Sequence, residues 1–230
     1  MPEAGPASGG GGTVPVQMLS VTQHSDGPEA HDAQPGRVQP VFYYDLGSPE
    51  CYLAAERAMA TLPVVPEWTP ILAAGFPGHA PGDVAARRAG VERQAATAHV
   101  QALRWPPAWP GDTRLAMIAA TYAKQIGRAV AFSLAAFRQA FAGGRELDED
   151  TILIAAAACE MHPKAVLVAL KRASVAGALE AATAEAAAAG VRDVPAVRIG
   201  TRVFHGEHAI EEAAAALGEL AAADPELQPR

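Results

Sequence analysis

The chain has 230 residues, half of them hydrophobic, and a formal net charge of −7. That length suits one large domain or a core with an inserted subdomain, and the acidic balance, with no basic stripe, excludes nucleic acid as a partner. No apolar run reaches about 18 residues, so no segment is read as crossing a membrane, and two cysteines, Cys51 and Cys159, make neither a disulfide framework nor a CxxC pair.

Residues 1–37 read as a disordered tail. Gly9–Gly12 are four consecutive glycines, and Pro, Ser, Gln and Asp fill much of the rest. Such a segment buries too little apolar surface to offset its ordering entropy. It lacks the basic start and apolar centre of a signal peptide, and a reducing, cytoplasmic setting is the default for a chain so poor in cysteine.

Val41–Tyr44 are β-branched or aromatic and read as a strand. Gly47 permits a sharp turn, Ser48 is a good helix N-cap, and Pro49 fits the first helical position. Strong helix formers follow from Leu53. Ser48 and Cys51 therefore share the first turn of one helix, where unpaired N–H groups and the helix dipole favour a thiolate or another anion. Ser-Pro is also an ordinary capping pair, and a lone cysteine is more often a small buried hydrophobe. Asp45, after a buried strand, reads equally as a proton acceptor or as a cap of the Gly47 turn.

Val64–Thr69 reads as a second strand, at an edge or a bulge because of Pro66. A Pro/Gly-rich loop follows. Asp83 caps a helix to about Ala102, and Pro106, Pro107 and Pro110 break the chain around Trp105 and Trp109. Asp112 or Thr113 starts a helix to Ile126. Another runs from Arg128 to Ala142, with Phe132, Phe137 and Phe141 mostly on one face. Asp148 caps a helix through Met161, and Pro163 opens the next. Ser174 caps an Ala-rich helix ending at Gly190. Ala196–Ile199 and Arg202–His205 read as a hairpin about Gly200-Thr201 with a type II′ turn. Glu207–Ala223 is the closing helix, and 224–230 a frayed tail. Cys159 reads as core. His205 and His208, with no Cys or Asp cluster beside them, read as solvated rather than metal-binding.

The order β-α-β, helical block, helix, β-hairpin, helix is that of a thioredoxin-like core with helices inserted after the second strand. The chain is thus an α/β fold, with 38–75 and 176–223 as core and 76–175 as an inserted all-helical subdomain. In such a core a cis proline precedes the hairpin, and Val194-Pro195 holds that position. It would leave the N–H and C=O of Val194 free to pair with an extended thiol peptide.

Tyr44-Asp45-Leu46-Gly47-Ser48-Pro49-Glu50-Cys51-Tyr52 resembles the opening motif of the 2-hydroxychromene-2-carboxylate isomerases and kappa-class glutathione transferases, which are DsbA-like thioredoxin-fold proteins. Glu67–Leu72, Trp105-Pro106, Asp112–Ala116, Val191–Ala196 and Phe204–Glu207 resemble later segments of the same family in the same order. In DsbA itself the motif is Cys-Pro-x-Cys; here Ser48 holds the first position and Cys51 the second. Serine cannot form the mixed disulfide on which dithiol exchange depends.

The resemblance implies that Ser48 stabilises the thiolate of glutathione or another low-molecular-weight thiol, with Val194 and Pro195 holding its backbone and a small molecule as substrate. A homodimer is compatible with it. Two positions depart from the pattern. Glu50 replaces a bulky residue, where it could repel a thiolate or, with a raised pKa, act as acid or base. His208 stands where the family has an Asp that helps bind the γ-glutamyl group, with Glu207 the nearest substitute. Arg87 or Arg88 could supply the cation that the helical insertion contributes. Three functions compete: a thiol-dependent isomerase or transferase, a redox protein acting through Cys51 alone, and a non-catalytic thiol or peptide binder.

Overall fold

The computed structural model describes residues 39–79, 82–98 and 100–223; the tails expected at 1–37 and 224–230 lie outside them. Strand β1 (Val41–Tyr44) runs into helix α1 (Pro49–Thr61), which returns to β2 (Glu67–Pro70). Helices α2 (Val84–Thr97), α3 (Arg114–Gln125), α4 (Ala129–Phe137), α5 (Glu149–Ala157), α6 (Pro163–Leu170) and α7 (Ala173–Ala188) follow. The chain closes with β3 (Ala196–Ile199), β4 (Arg202–His205) and α8 (Ala209–Ala223).

The four strands form one mixed sheet in the order β2-β1-β3-β4. The α1 crossover makes β1 and β2 parallel, with Phe42 opposite Trp68. β3 returns antiparallel to β1, Phe42 opposite Val197, and β4 antiparallel to β3. Gly200 turns the hairpin at φ +58°, a conformation glycine adopts without strain. All four residues of β1 are buried, as expected of a central strand covered on both faces. α8 packs on β3, β4 and α1, while α3 and α7 pack at β2.

An aromatic cluster ties sheet to helices. Phe42 and Tyr44 lie edge-on to Trp68, and Tyr44 and Tyr52 contact Phe137. Phe132, Phe137 and Phe141 are fully buried, so their common face is the core face. The buried Tyr44 hydroxyl pairs with Ser133 Oγ at 2.6 Å, which satisfies two polar groups that would otherwise be costly.

Several boundaries differ from the sequence expectation, each for a local reason. β2 starts after Pro66 rather than at Val64, because its first ladder donor is the Glu67 N–H, bonded to Pro40 C=O; it does lie at the sheet edge. α2 ends at Thr97, as the chain then carries the Arg104 N–H to the Phe141 carbonyl. α4 stops at Phe137 and widens into a π-helical turn over Arg138–Ala142. α5 stops at Ala157, since Glu160 adopts φ +60° and turns the chain back. α7 begins one residue before Ser174, with no side-chain cap. α8 starts at Ala209, because Gly206 (φ +80°) turns the chain there and spends its N–H on Pro195 C=O.

Candidate functional site

The site is assembled around the turn between β1 and α1. Asp45 is buried and accepts from the Gly47 N–H and from the Ala73 N–H, both at 2.9 Å. Burial raises its pKa against those bonds. Its carboxylate thus caps the Gly47 turn and anchors the segment after β2. Gly47 has no room for a side chain: a Cβ there would run into the Thr113 methyl at the start of α3. Its carbonyl accepts from Trp109 Nε1 at 2.9 Å. Trp109 belongs to the Pro-rich link, so the helical insertion clamps the turn directly.

Ser48 is the N-cap of α1, as its sequence position predicts. Its φ and ψ are extended and its Oγ accepts from the Cys51 N–H at 3.2 Å. Ser48, expected at an N-cap to face the pocket, is wholly buried, and so is Cys51, expected to be partly covered. The cover is Glu50. Ser48 Oγ–H donates to Glu50 Oε2 at 2.9 Å, and Arg87 of α2 grips the same carboxylate with Nε and Nη2, each at 2.7 Å. The Arg87 guanidinium lies 5.3 Å from the Trp109 ring centre, a cation–π distance. Burial pushes the Glu50 carboxyl up, but the Arg87 hydrogen bonds and charge, with help from Ser48, outweigh it, and its pKa is lowered. Glu50 is therefore a fixed carboxylate rather than an acid or base with a raised pKa. It occupies the anion-favouring end of α1 itself.

Burial pushes the Cys51 thiol well above its ordinary range, outweighing the opposing contacts from Ser48 and the Asp45 backbone, while the charges of Asp45 and Glu50 add a smaller push in the same direction as burial. Cys51 is a protonated, enclosed thiol at neutral pH, the opposite of a reactive one. Arg88, the alternative cation, donates from Nη2 to Trp109 C=O and lies 5.0 and 5.4 Å from the Trp105 and Trp109 ring centres. It holds the link in place.

The Val194–Pro195 peptide is cis. Val194 N–H is not free as expected, because it donates to Asp193 Oδ1 at 2.8 Å. Val194 C=O accepts no hydrogen bond among the described residues. Asp193 also meets His79 Nδ1 at 3.3 Å, and its charge and that of Arg87 act on each other. The proline segment is thus coupled to the Glu50–Arg87 end of the site.

A cavity of about 190 Å³ opens beside Glu50, lined also by Arg57, Gln94, Thr97, Glu207 and His208. Glu207 and His208 are exposed, and Glu207 Oε2 accepts from Gln94 Nε2 at 2.8 Å. Sequence reasoning missed Arg57, Trp109 and Asp193. Asp193 could have been suspected from its place before Val194-Pro195; Arg57 carries no such signal. His205 Nε2 accepts from the Arg192 N–H, and no cluster of three metal-ligating side chains exists among the described residues. Cys159 is core, its Sγ–H donating to Ala155 C=O. No helix among the described residues is long and apolar enough to cross a membrane.

A family profile for the DSBA-like thioredoxin domain matches residues 41–218. No protein of curated function shows a significant sequence match. Among solved structures, a 2-hydroxychromene-2-carboxylate isomerase superposes with a TM-score of 0.72 at 17% identity, over 84% of this chain and 100% of that one. A probable DsbA oxidoreductase from Streptomyces coelicolor gives 0.67 at 21%, over 84% and 94%. DsbA from Pseudomonas aeruginosa gives 0.52 at 16%, over 83% and 90%.

Proposed function

The chain belongs to the DSBA-like thioredoxin-domain family, and from that premise we propose that it is an isomerase or transferase working with an external low-molecular-weight thiol, whose sulfur Ser48 stabilises as thiolate. One observation carries the reading. The first cysteine position of the DsbA motif is a serine, and the second cysteine is wholly enclosed. Dithiol exchange needs an attacking thiolate and a resolving thiol, and this chain presents neither. Any sulfur chemistry at the α1 N-terminus must then come from outside.

The residues present fit a thiol in general. Ser48 Oγ–H can turn from Glu50 to the incoming sulfur, because Arg87 alone holds both Glu50 oxygens. The Cys51 N–H remains on Ser48 Oγ and keeps the hydroxyl at the helix end. The Val194 carbonyl remains to accept a backbone-like N–H from the ligand. A bound thiol supplies a nucleophilic sulfur able to add to a conjugated carbon, permit rotation and leave. The chain's part is to lower the energy of the charged sulfur and to exclude water through the Glu50–Arg87 cover. The likeness to the 2-hydroxychromene-2-carboxylate isomerase supports the fold on which this rests.

The closed Glu50–Arg87 pair also favours a second reading, a thiol binder that has lost turnover. Separate replacement of Ser48 and Cys51 decides. In a screen of thiols by melting-temperature shift, followed by turnover assays, Ser48→Ala should weaken the thiol effect and abolish thiol-dependent turnover, and Cys51→Ser should leave both. Loss of a thiol-dependent reaction only in Cys51→Ser would overturn the proposal. Thiol binding without turnover of any conjugated substrate would favour the binder.

A further inference from the structure

Resting on the thiol-site reading above, we infer that the cavity beside Glu50 selects a thiol carrying an amine and no carboxylate, an aminothiol rather than glutathione. The arginine in this cavity's lining and the one that reaches Glu50 are both already paired with carboxylates. Arg57, the one arginine in its lining, donates from Nε to Leu53 C=O and from Nη2 to Glu207 C=O, and pairs through Nη1 with Glu211 at 3.0 Å. Arg87 is held bidentately by Glu50. Arg88 has no carboxylate partner among the described residues, but it is not part of the cavity lining and is bonded to Trp109 C=O beside two indoles. His208 is an imidazole, not a fixed positive charge.

One negative group of the lining, Glu207, is not matched in the same way. Glu207 lines the cavity with an exposed carboxylate whose one partner among the described residues is the neutral Gln94 amide. Glu50, the other carboxylate of the lining, is already held by Arg87. A ligand carboxylate would therefore meet the Glu207 carboxylate and, within the lining, no guanidinium free of an acidic partner, and would lose hydration without compensation. A ligand ammonium would find Glu207 ready to receive it. Glutathione carries two carboxylates, so the groups present do not suit it, even though the sulfur seat suits a thiol.

The test is calorimetric titration of the full chain with glutathione and with glutathione diethyl ester, which share the thiol and the amine and differ in the two carboxylates. The ester should bind about tenfold or more tightly than glutathione. Glu207→Gln should weaken the ester several-fold by removing the ammonium partner. Glu50→Gln, which frees Arg87, should raise the affinity for glutathione and narrow the gap. Glutathione binding as tightly as the ester would overturn the inference while leaving the thiol site standing. Binding of neither would remove the thiol-site reading and the inference with it. The wild-type comparison alone decides if either variant fails to fold.

Discussion

Cys51 and Ser48 occupy the same helical turn that activates cysteines elsewhere, yet neither is exposed. The dipole at α1 is spent on the Glu50 carboxylate, and burial overrides what remains of it at Cys51. Cys51 should accordingly resist a bulky disulfide reagent in the native protein, as should Cys159, which is buried and whose pKa burial also raises. In denaturant both of the chain's two cysteines should react at once. Rapid labelling of one thiol in the native protein, traced to Cys51, would contradict this and restore the single-cysteine redox reading. The strand, the Gly47 turn and the Ser48 cap were legible because each rests on residues adjacent in sequence. The role of Glu50 was not, because its partner Arg87 lies 37 positions away on a helix whose docking no local pattern fixes.

At the scale of elements, the insertion does more than fill space beside the sheet. Trp109 reaches the Gly47 carbonyl, Thr113 packs on Gly47, and Met117 Sδ receives the Leu46 N–H. The turn that positions Ser48 is thus set by the link after α2 and the first turns of α3. Gly47→Ala should destabilise the protein by about 1–3 kcal/mol, the usual cost of overpacking, and Thr113→Ala in the same chain should recover part of it. The check is urea unfolding of both variants; an unchanged midpoint for Gly47→Ala would mean that the insertion does not press on the turn. The hairpin and the caps Asp83 and Asp148 were readable because turn and cap chemistry is local. The ends of α2, α4 and α5 were not, because tertiary contacts decide where an Ala-rich segment stops.

Across the molecule, the site's carboxylates link folding to pH. Glu50 and Asp193 have lowered pKa values in the folded chain: burial raises each, but Arg87 outweighs it for Glu50, and His79 with the Val194 N–H for Asp193. A lowered folded pKa stabilises the fold above the unfolded value and loses that contribution as pH falls through the folded one. Asp45, raised by burial, works the other way and offsets part of the loss. The melting temperature should fall as pH drops below the ordinary carboxylate range, about 4, and Glu50→Gln should be less stable at neutral pH but show a shallower acid decline. An identical acid slope in Glu50→Gln would show that the Glu50–Arg87 pair does not contribute.

The central claim is that Ser48, not Cys51, governs an external sulfur at the α1 N-terminus. The most direct measurement is the pKa of a bound thiol, read from thiolate ultraviolet absorbance while pH is varied, in wild type and Ser48→Ala. The wild type should depress the ligand's thiol pKa below its value in solution, and Ser48→Ala should return it toward that value. An unshifted pKa in the wild type, or an equal depression in Ser48→Ala, would contradict the account.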